Sequence, residues 1–409
     1  MKTKGRNVFI VGAGFSAPAR IPIQNRIWEE ITKSQTEDIL SFDPEPESFK
    51  FMHSYIKVGL YLLQNYTNYS CEEMYTTLYS IEKEIQLNVN FVDGDYIKKS
   101  DIFKRTQILR EQVRENLQKA KLHISLEDVF TSFDKSYQSK EFLHHYSFFQ
   151  ANDIKESIMR LFVYYFSRCI EKHSFLSEEY LNFTKYIKSL YNATIISTNW
   201  DVLIEEYFKR QKINYSLCLN EPYFVSDIHG EYPQKNNAIN LIKLHGSINW
   251  YKCLECGALN IFSTNNCAKF LFEDNAAEKC YQCKESLKEG TLLQSEFITP
   301  TMIKSINSQL YNNLWAAAQR DLRKAEKVTF IGYSLPIADF ELRYMLQRCI
   351  PSNVEIDVIL HNSDDPKKVT PEHVRELLPE SRYRDLFVKN KINFYYDGFA
   401  EYFEKLVVE

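Results

Sequence analysis

Two cysteine pairs, Cys253-x-x-Cys256 and Cys280-x-x-Cys283, offer the most specific chemistry in this 409-residue chain. Such pairs can bring four thiolates into a tetrahedron around a structural Zn²⁺, with no ligand position left open for catalysis. The 23 residues between the pairs slightly exceed the usual range. Cys267 lies among them as a substitute ligand or a bystander, and a redox pair is the competing reading. His245, in Leu244-His245-Gly246-Ser247, ends an apolar run. An unperturbed pKa of about 6.5 suits proton transfer near neutrality, although a buried, satisfied histidine would read the same. His229-Gly230 competes with it from a loop-like stretch after Asp227. Asn199 and Asp201, two apart in Ser197-Thr198-Asn199-Trp200-Asp201, could both face a cleft, or one could simply cap the helix that follows. Gly12, Ala13, Gly14 and Ser16 form a loop whose glycines admit a pyrophosphate and whose N–H groups can bind it. That loop lacks the third glycine of the dinucleotide fingerprint, and a ligand-free tight turn would look similar. Gly332, Ser334 and Asn362 each follow a strand-like run, where an ordinary turn is also possible.

The elements that position these residues read as a parallel sheet. Val8 to Val11, Thr194 to Ser197, Asn240 to Leu244, Val328 to Ile331 and Val354 to Leu360 are short, mostly apolar runs, as expected of strands covered on both faces. Between about Phe49 and Ser189 the pattern turns helical. Ile158, Leu161, Phe162, Tyr165, Phe166, Cys169 and Ile170 make one apolar face, Ile102 to Leu122 forms a second helix, and Ser125-Leu126-Glu127-Asp128 reads as a helix start. The expected organisation is a Rossmann-like α/β domain at 1–48, a helical insertion at 49–189, the domain continued at 190–250, a zinc-ribbon-like module at 251–290 and the domain completed at 291–409. A hydrophobic share of 44%, a charged share of 25% and a net charge of -4 describe a globular chain and exclude a disordered one. They also argue against nucleic-acid binding by bulk electrostatics. No apolar run approaches the roughly 18 residues of a membrane span, and the start reads as a buried strand, so a cytoplasmic protein with no membrane partner is expected. The other cysteines, Cys71, Cys169, Cys218 and Cys349, are scattered, which fits burial.

Taken in order, these segments resemble the sirtuin family. Gly12 to Ser16 with Ile21-Pro22 resemble its phosphate loop, Asn199 and Asp201 its nicotinamide pocket, and His245-Gly246 its catalytic histidine. The two cysteine pairs resemble its zinc module. Gly332 and Ser334 match its pyrophosphate and ribose segment, and Asn362 its adenosine-ribose asparagine. The resemblance runs from about residue 5 to 365 in short segments; the helical insertion and the tail after Asp365 have no counterpart. It implies a Rossmann-like parallel sheet of the sirtuin type, with NAD bound and its nicotinamide bond cleaved.

Departures from the pattern refine that expectation. Ile23-Gln24-Asn25-Arg26 stands where protein-deacylating sirtuins carry Phe-Arg, and Phe297-Ile298-Thr299-Pro300-Thr301 replaces the strand that clamps an acyl-lysine peptide. Ser-Thr-Asn-Trp-Asp, Leu-His-Gly-Ser-x-Asn-Trp (to Trp250) and Gly-Tyr-Ser-Leu-Pro-x-x-Asp (to Asp339) look like the divergent bacterial branch. Its members hydrolyse NAD in anti-phage defence, either with a partner such as a hexameric translocase-type ATPase or as large homo-oligomers. The resemblance thus implies catalytic Asn199 and His245, with Gly12, Ala13, Gly14, Ser16, Asp201, Gly332, Ser334 and Asn362 holding NAD as substrate. A structural Zn²⁺ would sit on Cys253, Cys256, Cys280 and Cys283. A protein deacylase and a non-catalytic NAD or ADP-ribose sensor and assembly module are the alternatives.

Overall fold

The computed structural model describes residues 5–21, 126–142, 147–219, 223–225, 239–263, 280, 283, 293–299, 301, 308–336, 339–366 and 378–408. Pro22 to Arg26, Cys71, the expected helix Ile102 to Leu122, Ser125, His229, Cys267 and Pro300 lie outside the described residues, as do the side chains of Ile158 and Leu161.

The described strands are β1 (Arg6–Val11), β2 (Ala193–Ser197), β3 (Tyr215–Ser216), β4 (Tyr223–Val225), β5 (Ile239–Lys243), β6 (Gly246–Cys253), β7 (Leu259–Ile261), β8 (Leu293–Phe297), β9 (Ala325–Ile331), β10 (Glu355–Ile359) and β11 (Ile392–Tyr395). Seven of them form one parallel sheet in the order β11-β10-β9-β1-β2-β5-β3. This is the expected Rossmann-like α/β architecture. From central β1 the chain first builds outward through β2, then returns to β9 on the other side. The carboxyl ends of β1 and β9 therefore flank the switch point, where open α/β sheets bind ligands.

The helices are α1 (Ala13–Ser16), α2 (Leu126–Ser139), α3 (Phe148–Lys172), α4 (Glu178–Ser189), α5 (Leu203–Arg210), α6 (Gln309–Leu322), α7 (Phe340–Cys349), α8 (Pro379–Leu386) and α9 (Gly398–Val408). They cover both faces of the large sheet, which is why its strands are apolar without alternation. Phe9 of β1 meets Phe183 of α4 and Phe403 of α9 on one face. On the other, Asp321 of α6 accepts hydrogen bonds from Thr194 at 2.8 Å and Asn240 at 2.7 Å. Each fully buried aromatic of this kind contributes about 1.5–3 kcal/mol.

The face read from the sequence of α3 is present: Phe162, Tyr165, Phe166 and Ile170 are buried. Phe162 stacks on Trp200 at 6.2 Å, so α3 leans on the segment that follows β2. The remaining strands make a smaller sheet, β4-β7-β6-β8, with β6 antiparallel to both β7 and β8. Since β6 begins directly after His245, that residue stands at the junction between the two sheets.

Candidate active site and metal centre

The glycines of the β1 loop are required by a backbone approach visible within the protein. Gly14 N–H donates to the Gly332 carbonyl at 2.8 Å, and Gly12 N–H to Ile331 at 3.0 Å. A Cβ on Gly14 would lie 2.7 Å from Gly332 Cα, and one on Gly332, which has φ +58, only 2.4 Å from the Gly14 carbonyl carbon. The loops after β1 and β9 are thus locked together at the switch point. Beneath them, Phe15 is wedged between Tyr180 of α4 (5.2 Å) and Phe399 of α9 (4.9 Å). The Tyr180 hydroxyl donates to the Phe15 carbonyl at 2.8 Å. Burial pushes that phenol up, and Asp201 nearby adds to the effect, so it remains a donor.

The segment after β2 joins the same cluster. Asn199 Nδ2 donates to the Gly12 carbonyl at 2.9 Å and to Ser16 Oγ at 3.0 Å. Ser16 Oγ donates in turn to Asp201 Oδ2 at 2.8 Å. Asp201, 7% exposed, also accepts the Leu203 N–H at 3.0 Å through Oδ1, which fastens the start of α5. This one carboxylate therefore joins the start of α5 to the Ser16–Asn199 network. His245 is also 7% exposed, and its Nδ1 lies 3.2 Å from the Thr198 carbonyl oxygen. A carbonyl can only accept, so Nδ1 donates in this contact.

The structure thus gathers Gly12, Gly14, Ser16, Asn199, Asp201 and Gly332 into one hydrogen-bonded group, with His245 attached through Thr198. Ser334 and Asn362 are exposed and follow β9 and β10 at the same edge of the sheet. Arg382 of α8 fixes the Ser334 carbonyl, with Nε at 3.0 Å and Nη2 at 2.9 Å. The sequence reading passed over Lys243, which donates from Nζ to the Asp201 carbonyl and, at 2.8 Å, to Glu205 Oε1. The available signal was a lone lysine inside the apolar run ending at Leu244.

The four cysteines of the two pairs come together beside the smaller sheet, all sulfurs lying within 4.8 Å of one another. The Sγ atoms of Cys253 and Cys283 are 3.9 Å apart, and those of Cys256 and Cys280 are 3.6 Å apart. Zn–S bonds of about 2.3 Å in a tetrahedron require separations of about 3.8 Å, so the donor set fits a structural zinc. Asn260 Nδ2 reaches Cys280 Sγ at 3.6 Å, and Gly257 N–H closes the first knuckle onto the Cys253 carbonyl at 2.9 Å. The neighbouring Cys256 thiol and burial push the Cys283 thiol up. A divalent cation would reverse that by favouring the thiolates.

No described helix is long and apolar enough to cross a membrane. Comparison with known proteins finds a family match over residues 193–378, to the SIR2-like domain. No curated protein matches. Similar solved structures include a study of sirtuin substrate affinity (13% identity, 98% of this chain and 93% of that chain covered, TM-score 0.39). Another is a Sir2 bound to acetylated peptide (11% identity, 98% and 92% covered, TM-score 0.38). A third is a Sir2 homologue mutant with ADP ribose (13% identity, 100% and 92% covered, TM-score 0.38). The matched SIR2-like segment carries Asn199, Asp201, His245, the four zinc-type cysteines, Gly332, Ser334 and Asn362, whereas the Gly12–Ser16 loop lies before it.

Proposed function

We propose that the chain is an NAD hydrolase that cleaves the nicotinamide–ribose bond to give nicotinamide and ADP-ribose. The observation that carries this reading is the shared network of Gly12, Ser16, Asn199 and Asp201, with His245 attached through Thr198. In this reading the Gly12–Ser16 loop, with Gly332 and Ser334, holds the pyrophosphate, and Asn362 holds the adenosine ribose. Asp201 spends two of a carboxylate's roughly four lone-pair sites on Ser16 and Leu203, which leaves capacity for the carboxamide. As nicotinamide leaves, positive charge develops at the ribose carbon. Asn199 positions the attacking water, and His245 takes its proton, directly or by way of a ribose hydroxyl. The zinc-type site supplies shape to the smaller sheet and takes no part in these steps.

Hydrolysis is preferred to deacylation on a specific observation. Phe297, Ile298, Thr299 and Thr301, which stand where the peptide clamp would be, are all buried, and Ile298 N–H donates to the His245 carbonyl at 2.8 Å. A segment packed and bonded in this way has little edge to offer a peptide. The wider role we propose is NAD depletion in anti-phage defence by a cytoplasmic protein working as a homo-oligomer or with a partner ATPase. Incubation with NAD, with and without an acetyl-lysine peptide, tests the reading by product chromatography. Nicotinamide and ADP-ribose formed without peptide, and lost in His245→Ala, are the expected result. Peptide-dependent turnover would establish a deacylase. Tight NAD binding without turnover in any assembly state would establish a sensor.

A further inference from the structure

The three backbone carbonyls Thr198, Trp200 and Asp201 are all gripped from the β5–β6 crossing. His245 Nδ1 holds Thr198 at 3.2 Å, and Ser247 Oγ and Ile248 N–H hold Trp200 at 3.1 and 2.9 Å. Lys243 Nζ holds Asp201. Lys243 ends β5, His245 stands in the turn at 244–245 and Ser247 lies in β6, yet all three side chains converge, like the teeth of a comb, on the segment carrying Asn199 and Asp201.

Lys243 is the costly tooth of that comb. Its side chain is 1% exposed, and burying an ammonium demands compensation from partners. One partner, Glu205, is itself pushed upward by burial, although the ammonium opposes the shift. An ion pair that served only to fasten α5 would not need to reach the Asp201 carbonyl as well.

We infer that Lys243 is a positioning residue of the candidate active site: through the Asp201 carbonyl it sets where Asn199 and Asp201 stand relative to Ser16 and the His245 ring. This rests on the hydrolase reading for its catalytic consequence and on geometry alone for its structural one. The contact with Asp201 carries the role, and the contact with Glu205 balances charge. Removing the lysine should free the 198–203 segment while the backbone bonds Gly14–Gly332 and Gly12–Ile331 stay closed.

The test uses the full chain with three variants: Glu205→Gln, the double variant Lys243→Met with Glu205→Gln, which strands no buried charge, and Lys243→Arg. Hydrogen exchange is read on peptides spanning 198–203 and on β9 as reference. In the double variant, exchange at 198–203 should rise about tenfold while β9 is unchanged. Glu205→Gln, which leaves the ammonium buried but still on the Asp201 carbonyl, should lower global stability yet keep 198–203 better protected than in the double variant. Lys243→Arg should restore part of the protection. With NAD as probe, the double variant should lose about 10- to 100-fold in kcat, whereas ADP-ribose, which lacks nicotinamide, should bind within about threefold of wild type. Unchanged exchange at 198–203 in the double variant, or an equal rise in Glu205→Gln, would overturn the assignment. A wild type that releases no nicotinamide in any assembly state would remove the hydrolase reading and leave the exchange measurement to decide for Lys243.

Discussion

Ser16 and Asp201, 185 residues apart in sequence, share a hydrogen bond of 2.8 Å that joins the loop after β1 to the loop after β2. The same Ser16 oxygen accepts from Asn199 Nδ2. One hydroxyl thus couples the segment that would hold phosphate to the two residues that would face nicotinamide.

Ser16→Ala should therefore injure both halves at once. A buried hydrogen bond to a charged group is worth about 1.5–3 kcal/mol. We expect a lower urea midpoint together with weaker ADP-ribose binding, by calorimetry, and slower nicotinamide release. A variant with normal binding and turnover would show that the coupling has no functional weight.

His245→Ala is expected to lose about 10²–10⁴-fold in turnover, the usual cost of a positioned acid/base. ADP-ribose binding should survive. Retention of more than about a tenth of wild-type turnover would remove the histidine from the mechanism.

Two glycines separate backbone strain from collision. Gly257 and Gly332 both have positive φ, but a Cβ on Gly257 meets nothing within 4 Å, whereas one on Gly332 strikes Gly14 and Phe15 backbone at 2.4 Å. Gly257→Ala should cost only the roughly 1–2 kcal/mol of left-handed backbone, and Gly332→Ala clearly more. Denaturant midpoints measure both, and equal losses would refute the close packing of the two loops.

The cysteine tetrad should hold one Zn²⁺ per chain, released by a thiol-modifying reagent and counted with a colorimetric chelator. Cys280→Ser is expected to abolish binding and lower thermal stability, because a structural zinc contributes folding energy directly. Metal-free protein of unchanged stability would contradict a structural role.

Phe399→Ala should cost about 3–5 kcal/mol, the range for a buried phenylalanine. Because its ring stacks on Phe15, ADP-ribose affinity should fall as well. Loss of stability with full affinity in the remaining folded protein would confine α9 to a packing role.

The central sheet was legible because its strands are buried on both faces: the runs at Val8, Thr194, Asn240, Val328 and Val354 all became strands of one parallel sheet. The edges were not. Tyr215–Ser216 is two residues long, and Ile392–Tyr395 is only partly buried, so neither carries a strong apolar signal. The tail after Asp365 gave no family signal, yet it supplies β11, α8 and α9 and places Phe399 against the glycine loop. At the candidate site, strand ends marked where functional groups emerge, but spacing cannot report who bonds to whom. The Ser16–Asp201 bond and the Lys243 contact join residues from separate strands, and only the assembled sheet brings them together.

The position of β1 also has a consequence for how the molecule is made. Arg6 bonds to Thr194, 188 residues on, and to Asp321, 315 residues on, because both neighbours of the central strand come from far along the chain. Closing loops of that length precedes any reward from pairing, so β1, made long before either of its neighbours, is enclosed late. Until then Val8 to Val11 is an unpaired apolar edge, the kind of segment that chaperones shield. Synthesis rate and chaperone supply should therefore affect how much of this protein reaches its working form.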